Sequence, residues 1–204
     1  MTEEGRTGLE VAGTEVTLRY PDAADATALA ELGGDPEVTR FFSWGPYRRV
    51  EEAAEFVASL PARRESGEAL EMLIVHGERG PAGLTGLSEV SLRDRRCVIG
   101  TWLGRSFWGS GINEWSKGLM AHFAFGPLGM ERLTAHAAVE NERSQAALER
   151  LGFRREGVLE AWHRHGDRVY DLVVYAFLRA DWERSPLHGV KADVRGAPPA
   201  AWVV

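Results

Sequence analysis

Between Gly100 and Asn113 the chain reads Gly-Thr-Trp-Leu-Gly-Arg-Ser-Phe-Trp-Gly-Ser-Gly-Ile-Asn. An apolar strand runs into a glycine-rich turn, and a helix begins directly behind it. Glycine admits backbone conformations closed to other residues, and a helix start presents N–H groups that lack intrahelical acceptors. Such a turn suits a phosphate or another anion. The stretch therefore constrains the architecture, a strand feeding a helix, together with a ligand class.

The rest of the chain supplies alternating elements around this unit. Residues 16–19 alternate apolar and polar and predict a strand. Pro21-Asp22 opens an alanine-rich helix over 23–32, which Gly33-Gly34 ends. Phe41-Phe42-Ser43-Trp44-Gly45-Pro46-Tyr47 reads as a loop carrying large aromatics, and Ala53, Phe56, Val57 and Leu60 space a helix over 50–60. Residues 70–76 and 82–92 predict strands, Arg93-Asp94-Arg95-Arg96 a hairpin turn, and 97–103 a third strand. Ile112, Trp115, Leu119 and Phe123 share one face of a helix over 111–125. A strand over 133–139 and a helix from the N-cap Asn141 to Gly152 follow. The last long strand is expected over 169–178, after a turn at 163–167. The Gly, Pro and Ala content from Ser185 onward predicts a loosely packed tail. The expectation is a mixed α/β domain over 1–184 and a tail over 185–204, with no internal repeats.

Composition narrows the function classes. A chain of 204 residues can bury one sizeable core. No apolar run approaches the roughly 20 residues of a membrane span. The acidic start, Met1-Thr2-Glu3-Glu4-Gly5-Arg6, lacks a secretory signal pattern, so a cytoplasmic location is expected. Cys97 is the single cysteine, which excludes an intrachain disulfide and predicts a buried, inert thiol. A net charge of -6 argues against broad nucleic-acid binding and is compatible with a cationic substrate. Lys117 and Lys191 are the two lysines among 24 basic residues, so arginines or backbone amides must hold any phosphate.

Two motifs read together go further. The first is Trp108-Gly109-Ser110-Gly111 at the strand-to-helix turn. The second, about thirty residues on, is a strand followed by Asn141-Glu142-Arg143-Ser144 and then Leu151-Gly152-Phe153-Arg154-Arg155-Glu156-Gly157. Over residues 16–182 this pattern resembles the GNAT superfamily of acyl-CoA-dependent N-acyltransferases, in its RimJ/RimL-like branch. The resemblance implies a mixed central sheet flanked by helices and splayed where the cofactor lies. It also implies acetyl-CoA as the acyl donor, no metal, and a homodimer such as some relatives form, although no interface signature is visible.

Carried over residue by residue, the resemblance makes Trp108, Gly109, Ser110, Gly111, Ile112 and Asn113 the pyrophosphate cradle. The family pattern R/Q-x-x-G-x-G/A is met at both glycines, with Ser106 in place of the leading Arg or Gln and Arg105 beside it. Trp102 and Leu103 would offer backbone groups to the pantetheine, Asn141 would meet its amide, and Ser144 would stand near the thioester sulfur. Asn141 and Ser144 also fit a helix cap. Many relatives carry a Glu on the strand before the turn, in a pattern like E-I-G-Y-W; here Val98-Ile99-Gly100-Thr101-Trp102 lacks it. Glu89 on the adjacent strand and His163 after the Glu156-Gly157 segment are the candidate bases, with Tyr170, Asp171 or a water relay behind them. Trp44, Tyr47 and Phe42 are candidates for the acceptor wall.

Competing motifs are absent. There is no G-x-x-x-x-G-K-[ST], and the turn is not G-x-G-x-x-G. His163, His165 and Asp167 alternate with Arg164 and Gly166 and predict an exposed turn rather than a metal site. The expected activity is acetyl transfer to a primary amine, of a small molecule such as an antibiotic or metabolite, or of a protein N-terminus. The alternative is an inactive acyl-CoA-binding sensor or scaffold, which the missing Glu would suit. Donors with other acyl chains remain open.

Overall fold

The computed structural model describes residues 8–203. The acidic start at 1–6 lies outside the described residues. Among the described residues nine strands form one open sheet: β1 (Glu10–Ala12), β2 (Val16–Arg19), β3 (Ala69–His76), β4 (Gly80–Ser91), β5 (Arg96–Leu103), β6 (Arg132–Ala138), β7 (Arg154–His165), β8 (Arg168–Leu178) and β9 (Asp193–Arg195). Their spatial order is β7-β8-β6-β5-β4-β3-β2-β1-β9. All neighbouring pairs are antiparallel except β5 and β6, which run parallel.

Helices cover both faces. On one lie α1 (Ala26–Gly33), α2 (Pro36–Thr39) and α3 (Val50–Glu65); on the other lie α4 (Ile112–Phe125) and α5 (Glu142–Arg150). A short α6 (Arg179–Trp182) follows β8. The period-2 alternation of the central strands feeds two cores. Leu70, Met72 and Ile74 of β3 pack with Leu119, Met120 and Phe123 of α4, while Leu73 and Leu84 pack with Leu29 of α1 and Val57 of α3. Adjacent residues of β3 thus point to opposite helical layers.

The hairpin of β4 and β5, the helix behind the glycine turn, and the β6–α5 unit stand where the sequence predicts them. Besides β1 and α2, which the sequence reading does not include, three features differ. The α3 helix continues through Pro61 to Glu65, where the expected helix stops at 60. A twelve-residue strand, β7, occupies Arg154–His165 and absorbs most of the expected turn. It is an edge strand exposed along most of its length, so no apolar alternation announces it.

The third difference is the C-terminal segment, which is docked rather than loose. There β9 pairs with β1, and Leu187 and Trp202 are completely buried. The indole N–H of Trp202 donates to the Arg64 carbonyl of α3 at 2.8 Å. Gly and Pro mask these few apolar anchors in the composition.

Candidate active site

The site is set by the one parallel pair. β5 and β6 are in register at Arg96 with Arg132, Cys97 with Leu133, and Val98 with Thr134, and no further. Beyond that point β5 stays with β4 as far as Leu103 opposite Gly83, while β6 stays with β8 as far as Ala138 opposite Leu172. The strands therefore part, leaving a gap edged by residues 99–103 and 135–138. Backbone N–H and C=O groups along such edges need partners, and an extended ligand with amides of its own can supply them.

At the mouth of the gap stands the glycine turn. Gly109 has φ +72° and Gly111 φ +85°, both in the left-handed region that favours glycine. Gly111 is the N-cap of α4 and supplies no side-chain cap. The first N–H groups of the helix thus keep the positive end of the helix dipole open to a ligand. A Cβ at Gly109 would meet nothing within 4 Å, so the space before the turn is clear. The Ser110 hydroxyl is turned inward, donating to the Phe107 carbonyl at 2.6 Å.

Trp108 ties this turn to both sides of the gap. Its indole N–H donates to the Leu103 carbonyl at 2.9 Å, and the Arg143 guanidinium lies 3.3 Å from its ring centroid. Arg143 belongs to the first turn of α5, so the starts of α4 and α5 face one another. Burial lowers the Arg143 pKa from its usual value, opposed by the charge of Glu37. Arg105, by contrast, is exposed and lies 3.8 Å from the Asp35 carboxylate. Asn141 caps α5 by accepting from the Ser144 N–H at 3.2 Å. The structure brings residues 108–113, Trp102, Leu103, Asn141 and Ser144 to one gap. The Leu103 carbonyl is already engaged by Trp108.

The opposite face of β5 belongs to the α1–α3 layer. Trp44 packs on Trp102 with ring centroids 5.2 Å apart, and Tyr47 and Phe42 follow at 5.2 and 5.5 Å from Trp44. The aromatic loop thus borders the splayed part of β5. Burial pushes the Tyr47 phenol up to about 12, with smaller contributions from the charges of Glu52 and Glu71.

The two expected bases lie on the flanks. Glu89 is exposed at a bulge of β4, with φ +49°. Its charge is felt by His136 of β6, whose pKa is lowered by burial and partly raised again by Glu89. His163 lies beside Tyr170, ring centroids 6.3 Å apart, and its buried Nε2 has no hydrogen-bond partner among the described residues. Tyr170 packs edge-on against Phe41, and Asp171 accepts from the Ala161 N–H at 2.7 Å, holding the β7 bulge. His165 Nε2 is 3.2 Å from the Gly45 carbonyl, fastening the β7–β8 hairpin to the aromatic loop. Cys97 is buried, and its thiol is pushed up to about 12, as an inert thiol requires.

Two polar residues escaped the sequence reading. Lys117 of α4 is buried under β5, its Nζ 2.8 Å from the Thr101 hydroxyl. Glu71 of β3 stands opposite Gly86 of β4, which stands opposite Gly100 of β5. A Cβ at Gly86 would collide with Glu71 Oε2, whereas one at Gly100 would meet nothing within 4 Å among the described residues. A lone acid in the run Ala-Leu-Glu-Met-Leu-Ile-Val, facing glycines on two neighbouring strands, is the signal that could have found it.

Comparison with known proteins agrees with this geometry. Residues 15–154 match the acetyltransferase (GNAT) domain family. The N-acetyltransferase p20 of Bacillus licheniformis is 27% identical over 168 residues, covering 82% of this chain and 94% of its own. A solved acetyltransferase of T. thermophilus is 33% identical with a TM-score of 0.75, covering 86% of this chain and 92% of its own. RimL, a ribosomal L7/L12 α-N-protein acetyltransferase solved with coenzyme A, is 26% identical with a TM-score of 0.71, covering 81% and 94%.

Proposed function

The chain belongs to the GNAT acetyltransferase family, in its RimJ/RimL-like branch, and from that premise we propose that it transfers an acetyl group from acetyl-CoA to a primary amine by direct attack. The observation that carries the donor half is the parting of β5 and β6 directly before an uncapped, glycine-built helix start. Backbone amides of residues 109–113 would hold the pyrophosphate, and the edges of the gap would pair with the pantetheine. RimL, with which this chain shares its fold and 26% of its residues, is described in complex with coenzyme A. Bound there, acetyl-CoA supplies an activated acyl carbon.

The chain's own contributions follow from position. A backbone N–H near Leu103, on the freed edge of β5, would meet the oxyanion. Ser144, at the facing start of α5, would donate to the departing sulfur. The Trp44, Tyr47 and Trp102 cluster would form one wall of the acceptor site, where aromatic faces attract a cationic amine. A small amine is favoured as acceptor because the sequence carries no motif that resembles a peptide-specific one. A protein N-terminus is the competing acceptor within the same chemistry.

Thiol release from acetyl-CoA, measured over small primary amines and short peptides with free N-termini, tests the reading. Amine-stimulated release is the expected result. Tight coenzyme binding without release on the whole panel would instead favour a binding module.

A further inference from the structure

The family's usual strand carboxylate is missing at Val98, yet a carboxylate stands on the same face of the sheet. Cross-strand partners share a face, so Glu71, Gly86 and Gly100 form one row across β3, β4 and β5. The Glu71 side chain lies over Gly86, filling the volume any side chain there would need. Ahead of it, no atom of the described residues beyond the adjoining chain lies within 4 Å of a Cβ built at Gly100. Gly100 is two residues past Val98, the last position paired to β6. One strand spacing, about 5 Å, separates the row over Gly86 from that of Gly100, enough for an amine nitrogen or one water.

We propose that Glu71 is the general base of the transfer, receiving the proton of the acceptor ammonium over Gly100. This rests on the acetyltransferase reading above. The ammonium R–NH3⁺ gives one proton to the Glu71 carboxylate, directly or through a single water. The freed amine attacks the thioester carbonyl carbon, forming the C–N bond. As the C–S bond breaks, the second proton leaves the nitrogen and ends on the coenzyme thiolate. Glu71 then returns its proton to solvent, so that ammonium and acetyl-CoA become amide, free coenzyme thiol and one proton.

The surroundings suit the role. Burial raises the Glu71 carboxyl to about 6, and Arg63 of α3 opposes that rise. The charge of Glu71 also reaches the Tyr47 phenol, which feels Glu52 of α3 as well and stays neutral near neutral pH. β4 and β5 present Gly86 and Gly100 to it, and no charge. A base raised toward the working pH combines ionisation at pH 7 with useful basicity. Glu89 stands exposed at its bulge.

The test compares Glu71→Gln and Glu71→Asp with Glu89→Gln and His163→Gln, using tryptamine, spermidine and a short peptide with a free N-terminus as amine probes. For any probe the wild type acetylates, kcat/KM should rise with pH through about 6. Glu71→Gln should lower it by about 10²–10⁴-fold, abolish that limb, and leave coenzyme affinity unchanged. Glu71→Asp should keep the limb at reduced rate; if the Gln variant does not fold, this variant carries the comparison. A ¹³C carboxyl titration of the wild type should show Glu71 ionising near 6 whatever the acceptor. A wild type that releases no thiol with any probe overturns the transfer reading and the base with it. An active wild type whose Glu71→Gln variant keeps rate and limb, or whose limb moves to Glu89→Gln or His163→Gln, overturns Glu71 alone.

Discussion

The ammonium of Lys117 lies 2.8 Å from the Thr101 hydroxyl, beneath the part of β5 that has left β6. Thr101 Oγ1 in turn lies 2.9 Å from Thr85 Oγ1 on β4. A buried cation thus fastens α4, which carries the glycine turn, to the strand that edges the gap. Burial lowers the Lys117 pKa to about 8.

That depression is a stability statement. Below about 8 the ammonium is charged in both folded and unfolded chains, and the full burial penalty applies. The drop from 10.5 to about 8 corresponds to ~3 kcal/mol. Between about 8 and 10.5 the unfolded chain binds more protons, so the penalty fades as pH rises. Lys117→Met should therefore be more stable than the wild type at pH 7, and the difference should shrink toward pH 10. Urea melts of both proteins across this range provide the check. The difference isolates Lys117, because Tyr47 and Cys97, both pushed up to about 12, oppose it equally in each protein.

Arg143 and Arg105 should behave differently although both flank the glycine turn. Arg143 stacks on Trp108 and steadies the turn, whereas Arg105 is exposed beside Asp35. Arg143→Ala should weaken coenzyme A binding by about 2- to 30-fold, the equivalent of ~0.5–2 kcal/mol. Arg105→Ala should change it little. Calorimetric titration of the two variants distinguishes them.

The C-terminal segment should prove structural. Trp202 is completely buried and hydrogen-bonded to the Arg64 carbonyl. Trp202→Ala should cost about 3–5 kcal/mol, and removal of residues 185–204 should lower the melting temperature markedly. Chemical denaturation measures the first and thermal melting the second.

The glycine turn and the two helix starts beside the gap were legible in the sequence because their signals are local. Gly109, Gly111 and the apolar face of α4 lie within one short window, and Asn141 caps the next helix in its own turn. The rest was hidden for physical reasons. β7 is an exposed edge strand rich in Arg, Glu and His, whose few apolar residues do not alternate regularly. Trp202 and Leu187 are isolated anchors in a Gly- and Pro-rich stretch. Glu71 acquires meaning from register, which sets it beside Gly86 and Gly100, residues fifteen and more positions away in the chain. The aromatic loop was visible as a loop, while its contact between Trp44 and Trp102 needed the fold.

Calorimetric titration of coenzyme A and of ATP into the wild type and Gly111→Val tests the central claim most directly. At φ +85°, Gly111 holds a conformation that a β-branched residue adopts at a cost. A valine there also places a branched side chain beside the first N–H groups of α4. The wild type should bind coenzyme A well ahead of ATP, and Gly111→Val should lose at least about tenfold in coenzyme affinity, ~1.4 kcal/mol. Preference for ATP, or unchanged coenzyme affinity in a folded Gly111→Val variant, would contradict the assignment of this turn and gap as an acyl-CoA site.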